Sequence, residues 1–133
     1  MSVGLMLVTH GRLGVELLST AQNMLGVCPL QADTLSVSQH DDVDELDALA
    51  EVIRLRLDDG DGVLVLTDMY GSTPSNVATR LLRRPGVAVI AGVNLPMLIR
   101  VMNYPTLPLP ELVDKALSGG HTGIVHCQPE DAA

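Results

Sequence analysis

A histidine, His10, stands between an apolar run and a glycine near the start of the chain. Residues 5–9 read Leu-Met-Leu-Val-Thr, a sequence of strand type. Beyond Gly11, apolar residues recur mostly at three- and four-residue steps, as on one face of a helix: Leu13, Leu17, Leu18, Ala21, Met24 and Leu25. The imidazole is therefore predicted at the point where a buried strand ends and a helix begins. In an open α/β sheet, ligands and chemistry collect at this edge.

Asp68 has the same relation to another strand. It follows the uninterrupted apolar run 63–66, which is typical of a central parallel strand covered on both faces. In a flavodoxin-like sheet the first and third strands are neighbours, so His10 and Asp68 would lie side by side. A carboxylate that accepts a hydrogen bond from one imidazole nitrogen fixes the tautomer and leaves the other nitrogen free to attack.

Groups suited to an anion surround this predicted pair. Gly11 lets the backbone come close, and a second helix start after Gly71 supplies hydroxyl, amide and N–H groups from Ser72, Thr73, Ser75 and Asn76. A nucleophilic imidazole beside an anion seat, without metal ligands, indicates phosphoryl acceptance at His10. Asp68 is then its catalytic partner, and Gly11, Gly71, Ser72 and Thr73 are phosphoryl-binding candidates. The alternative is structural: Asp68 would only lead a helix and the hydroxyls would only cap it.

Strands and helices alternate along the whole sequence. Further strands are predicted over 30–37, 63–66, 87–91 and 123–126. The helices between them are predicted over 43–57, from Thr73-Pro74 to Arg84, after Asn94-Leu95-Pro96, and from Pro110 to a stop at Gly119-Gly120. Thr73 and Asn94 are predicted to be N-caps, each followed by a proline near the helix start. Strands spaced by helices imply right-handed crossovers and a parallel sheet. The fold class predicted is α/β, a flavodoxin-like doubly wound sheet of order 2-1-3-4-5. One domain is expected over 1–127, followed by a disordered tail over 128–133.

Composition excludes several function classes. The formal net charge is −8, from 16 acidic and 8 basic residues, which argues against nucleic acid, whose affinity depends on neutralising phosphates. With two Tyr and no Phe or Trp, the chain has no stacking platforms for bases. Neither His40, His121 nor His126 has partners at a metal-ligand spacing, so no metal or other cofactor is expected. The absence of a signal-like start or an apolar span predicts a cytoplasmic protein.

Three segments together resemble the mannose-family IIA component of the sugar phosphotransferase system. They are Val8-Thr9-His10-Gly11, the run 68–76 (Asp-Met-Tyr-Gly-Ser-Thr-Pro-Ser-Asn) and the run 90–97 (Ile-Ala-Gly-Val-Asn-Leu-Pro-Met). The match extends from about residue 2 to about residue 127. The family often has Gly-Gly-Ser-Pro where this chain has Gly71-Ser72-Thr73-Pro74, so Ser72 is a departure within the loop.

The resemblance implies a phosphotransferase that works as a phosphocarrier. His10 would accept a phosphoryl group from the carrier protein HPr and pass it to a IIB partner, with association to membrane transport components through other proteins. Asp68 would orient His10, and Thr73 and nearby backbone would hold the phosphoryl oxygens. The resemblance also implies a homodimer in which the short last strand, 123–126, is exchanged between subunits.

Two other interpretations stay open at this stage. The chain ends at Ala133 without a fused IIB domain, which is compatible with a regulatory switch that binds a partner according to His10 phosphorylation and serves no transporter. The second is a receiver domain with an acceptor aspartate. That class needs an acidic cluster after the first strand, and Thr9-His10-Gly11 offers no acids.

Overall fold

A computed structural model describes residues 2–132; Met1 and Ala133 lie outside the described residues. Four strands alternate with helices: β1 Gly4–His10, α1 Leu13–Leu25, β2 Ala32–Val37, α2 Val43–Leu57, β3 Val63–Thr67, α3 Thr73–Arg80, β4 Val87–Ala91, α4 Leu95–Met102 and α5 Leu109–Thr122. One turn of 3-10 helix, Leu81–Arg83, extends α3, and another lies at Pro129–Ala132. The predicted helices and first four strands are confirmed, with β2 starting two residues later.

The four strands form one parallel sheet of order β2-β1-β3-β4. β1 and β3 are the inner strands, and β3 is buried along its whole length. The register pairs His10 with Val37 of β2 and Val8 with Thr67 of β3. The carboxyl ends of β1 and β3 therefore lie at the same edge, as the α/β prediction requires.

Side chains of β1 alternate between two apolar cores. Leu5 and Leu7 join the core formed with α1, α4 and α5, whereas Met6 and Val8 join the core formed with α2 and α3. Burial on both faces explains why β1 and β3 are continuous apolar runs rather than alternating ones. The result is a doubly wound, three-layer α/β domain whose rigid sheet fixes the positions of its strand ends.

The helix starts at the carboxyl edge are capped by side chains of different origin. The Asn94 side chain accepts the Met97 N–H at 2.9 Å, as the Asn-Leu-Pro pattern predicts. Thr9 of β1 caps α1, because its Oγ1 accepts the Gly14 N–H at 2.7 Å. For α3, the cap position is Ser72 and Thr73 is the first helical residue. The sequence-based placement of the cap at Thr73 is therefore wrong by one residue.

The predicted break at Gly119-Gly120 is wrong, because α5 continues through both glycines to Thr122. The glycines are buried against α4: a Cβ at Gly119 would lie 2.5 Å from Arg100 Cβ, and one at Gly120 would lie 2.9 Å from Met97 Cε. Gly119 therefore permits close packing of α5 on α4, whereas a Cβ at Gly120 would meet only the flexible end of the Met97 side chain.

The predicted fifth strand does not form within the single chain, and its exchange between two subunits stays a prediction. Residues 124–128 have no regular secondary structure, and the sheet contains four strands in the part of the chain that is described. Ile124 and Val125 are 76% and 67% exposed. Pro129–Ala132 forms an exposed 3-10 turn within the tail expected to be disordered; the boundaries 1–127 and 128–133 stay a prediction. None of the helices over residues 2–132 has the length and apolar character needed to cross a bilayer.

Candidate functional site

The ends of β1 and β3 bring His10 and Asp68 into direct contact. His10 Nδ1 lies 2.8 Å from Asp68 Oδ2, and the His10 backbone N–H donates to the same oxygen at 3.0 Å. The other carboxylate oxygen, Oδ1, accepts the Met69 N–H at 3.0 Å. These three donors fix the Asp68 carboxylate. Because one of them is the backbone N–H of His10 itself, the carboxylate is held in place relative to the His10 ring.

Asp68 is held in its ionised form. Its side chain is only 10% exposed, and this burial raises the pKa of the carboxyl. The hydrogen bonds from the His10 backbone and ring, together with the attraction of the ring, outweigh burial, so the pKa of Asp68 lies below its ordinary value of 3.8. At neutral pH the carboxylate can only accept hydrogen bonds.

An ionised acceptor at 2.8 Å places the proton of a neutral His10 ring on Nδ1. The lone pair then resides on Nε2, the nitrogen that points away from Asp68. The His10 side chain is 56% exposed, so a large reaction partner can reach the ring. A half-exposed, oriented imidazole beside a buried carboxylate is suited to nucleophilic attack on an electrophile carried by another molecule.

The loop after Asp68 leads into the N-terminus of α3. Gly71 has a φ of +85°, and its N–H lies 3.4 Å from Ser75 Oγ. The Ser72 hydroxyl donates to the Met69 carbonyl at 2.6 Å and so closes the loop on itself. Thr73 is exposed at the first position of α3, where N–H groups have no acceptor within the helix and favour anions.

Gly11 does not offer a free N–H group to an anion, in contrast to its prediction as a phosphoryl-binding residue. Its N–H donates to the Val37 carbonyl at 2.8 Å, which extends the β1–β2 ladder by one bond. Its φ is +49°, and a Cβ there would meet no atom within 4 Å. Gly11 thus turns the chain out of the sheet and leaves open space beside His10, while its amide is already used.

The structure also places residues that the sequence reasoning did not assign. Thr9 holds the start of α1 through its hydrogen bond from the Gly14 N–H. The only sequence signal for this role is a threonine at the end of a strand. Tyr70 is 84% exposed and Met69 is 66% exposed, so both form the rim of the site. His40, His121 and His126 are exposed and lie outside the pair. Over residues 2–132, no group of three or more His, Cys, Asp or Glu is arranged to hold a metal ion.

Comparison with known proteins assigns this arrangement to a family. Residues 4–117 match the family EIIA-man, described as PTS system fructose IIA component. The chain belongs to this family. A curated relative, the mannose-specific EIIAB component of the phosphotransferase system from Escherichia coli K12, is 30% identical over 132 residues. That alignment covers 93% of this IIA chain but only 39% of the relative, so the chain spans about two fifths of that protein's length.

Solved structures of IIA proteins share the fold throughout. The mannose/sorbose-specific IIA subunit from Enterococcus faecalis superimposes with a TM-score of 0.85 at 29% identity, covering 96% of both chains. The IIA protein associated with the fucose utilization operon of Streptococcus pneumoniae gives a TM-score of 0.77 at 26% identity, covering 95% of this chain and 96% of the other. These likenesses extend the similarity from the three motifs to the whole IIA domain.

Proposed function

We propose that this IIA protein is a phosphocarrier that accepts a phosphoryl group on His10. The observation that carries the proposal is the 2.8 Å contact between His10 Nδ1 and the largely buried Asp68 carboxylate, on a His10 side chain that is 56% exposed. Family membership supports phosphotransfer within the phosphotransferase system. The phosphoryl donor is the phosphohistidine of HPr, and the acceptor is a histidine of a IIB protein.

The proposed step needs no further reactant. The Nε2 lone pair forms a bond to phosphorus while the P–N bond of the donor histidine breaks, and its electron pair returns to the donor ring. The Nδ1 proton of His10 stays in the hydrogen bond to Asp68, so the phosphorylated ring is cationic and its charge is stabilised by that carboxylate. Phosphoryl transfer needs mainly alignment and charge stabilisation, and these are what two fixed strand ends provide.

Thr73 and the first turn of α3 are proposed to hold the phosphoryl oxygens. The exposed Thr73 hydroxyl and the N–H groups at the helix start can donate hydrogen bonds to negatively charged oxygens. The Ser72 hydroxyl is already bonded to Met69, which makes Ser72 a residue that shapes the loop. Gly71 supports this shape through its positive φ.

We also propose a cytoplasmic homodimer. β4 is an edge strand whose outer side has no neighbouring strand among the described residues, and Val87 to Val89 are only half-buried. An unprotected edge of this kind invites pairing with another chain. The segment 124–128, which has no regular secondary structure and exposes Ile124 and Val125, could pair with β4 of a second copy and bury both side chains at low cost.

Labelling of the purified protein with phosphoenolpyruvate, enzyme I and HPr tests the proposal. We expect one acid-labile, base-stable phosphoryl group per chain, which His10→Ala abolishes. His40→Ala is a matched control, because His40 is also exposed but lies in the loop before α2. Full labelling of His10→Ala would reject the assignment. Transfer onward to a IIB protein separates the transport role from a regulatory one.

A further inference from the structure

The charges around His10 are unfavourable for a phosphoryl group. Asp68 is ionised at 2.8 Å from the ring. β2 ends next to β1, and four acids follow it at the start of α2: Asp41, Asp42, Asp44 and Glu45. A phosphoryl group adds up to two negative charges at this edge, and the cationic ring offsets one of them while Asp68 is paired with the ring. A second cation close to His10 would therefore stabilise the phosphorylated form.

Among the basic residues over 2–132, Arg12 stands nearest in sequence to a strand end at this edge, two positions after His10. The helices α2, α3 and α4 begin at the carboxyl edge and run away from it, and their basic residues lie in their last turns: Arg54, Arg56, Arg80 and Arg100. Arg83 lies in the 3-10 turn that extends α3. Arg84 follows the 3-10 turn after α3. Lys115 lies over the ring of Tyr104, beyond the far end of α4.

Arg12 is also placed to respond to a new charge. It stands two residues after His10, so their Cα atoms are at most about 7 Å apart, and it is the cap residue of α1. Its side chain is 73% exposed, and its recorded ion-pair partner is Glu16, 66% exposed, at 3.4 Å. An exposed pair of this length contributes little and is easily exchanged.

We propose that Arg12 binds the phosphoryl group on His10 and that it leaves Glu16 to do so. This inference rests on the proposed function, because it requires the phosphorylated form. Guanidinium presents a planar pair of donors that matches phosphate oxygens, and hydrogen bonds between two charged groups are about twice as strong as neutral ones. Phosphorylation then moves one positive charge toward His10 and leaves the Glu16 carboxylate unpaired on the first turn of α1.

The test compares Arg12→Gln with Arg83→Gln, which removes the same charge from an exposed arginine at the opposite edge. Phosphoryl exchange with HPr at equilibrium gives the ratio of phosphorylated to free protein. From the strength of exposed charged pairs we expect Arg12→Gln to lower this ratio roughly twofold to fivefold. Arg83→Gln should leave it unchanged, and the difference should shrink in 1 M salt.

A second measurement reports on the phosphoryl group itself. In a ³¹P NMR titration, the nearby guanidinium favours the dianion, so the pKa of the phosphoryl group should be higher in Arg12→Gln than in the native protein or Arg83→Gln. Equal ratios and equal titrations in all three proteins would overturn the role of Arg12 while the native protein is still labelled. A native protein that takes no label from HPr would overturn the proposed function and this inference with it.

Discussion

Replacing Asp68 with Asn tests the pair at the centre of the site. Asp68 offers two acceptor oxygens to three donors: the ring and backbone N–H of His10, and the N–H of Met69. Asn has one carbonyl oxygen and one NH₂ group. If the oxygen faces His10, the NH₂ group meets the Met69 N–H. If it faces Met69, the NH₂ group meets two His10 donors and favours the ring tautomer with its proton on Nε2.

Both orientations of Asn slow phosphoryl transfer. The first keeps the tautomer but removes the negative charge that stabilises the phosphorylated ring; the second also occupies the attacking lone pair. A hydrogen bond to a charged group contributes about 1.5–3 kcal/mol, and each 1.36 kcal/mol is tenfold in rate. We therefore expect the rate of phosphorylation by HPr, followed by rapid quenching, to fall by roughly ten- to a hundredfold.

The stability of Asp68→Asn has a defined pH dependence. Because the folded pKa of Asp68 lies below 3.8, its carboxylate stabilises the fold above that pH and loses this effect as the pH falls through the folded value. The difference in free energy of unfolding between native protein and variant should be full at pH 7 and shrink below about pH 4.

Asp33→Asn is the matched control for Asp68→Asn. Asp33 also accepts the N–H of the next residue, at 2.8 Å, but it pairs with Arg56 near the amino end of β2. It should leave the rate of phosphorylation unchanged. An unchanged rate in Asp68→Asn, with an unchanged melting temperature, would refute the reasoning, because it would show that the carboxylate contributes neither charge nor orientation.

Two further predictions concern the end of the chain. Truncation after Gly123 leaves α5 complete and should convert the proposed dimer to a monomer in sedimentation at micromolar concentration; a dimeric truncated form would place the interface elsewhere. Gly119→Ala forces a Cβ to 2.5 Å from Arg100 Cβ, so chemical denaturation should show a loss of about 1–2 kcal/mol, overpacking being partly offset by helix propensity. Ser118→Ala, on the exposed face, should change stability by less than about 0.5 kcal/mol, and equal effects at 118 and 119 would contradict the packing argument.

The sheet and the His10–Asp68 pair could be predicted because both follow from strong local patterns. The buried runs of β1 and β3 are apolar on both faces, and parallel strands joined by helices place their carboxyl ends at one edge. The register then leaves little freedom: Val8 pairs with Thr67, so His10 and Asp68 follow their strands into adjacent positions. A prediction of which residues meet at a strand end needs only strand order, not side-chain detail.

The end of α5 could not be predicted from local sequence. Gly119-Gly120 has the composition of a helix stop, and propensity disfavours both residues within a helix. Their role depends on α4: a Cβ at Gly119 would lie 2.5 Å from Arg100 Cβ, and one at Gly120 would require the end of the Met97 side chain to move. The same limit applies to residues 123–126. Their strand-type composition can form a strand only with a neighbour, and the four-stranded sheet of one chain does not supply it.

The loop hydroxyls show where residue type stops being informative. Ser72, Thr73 and Ser75 all carry a hydroxyl and lie close together in sequence, yet their side chains have different surroundings in the fold. Ser72 bonds to Met69, Ser75 is buried with its Oγ near the Gly71 N–H, and Thr73 alone is exposed at the start of α3. A helix start fixes this division, because successive residues there point about 100° apart. For the proposed phosphoryl group on His10, we therefore expect Thr73 to be the one side-chain hydroxyl of this loop that can reach it, and Arg12 to be the proposed source of positive charge.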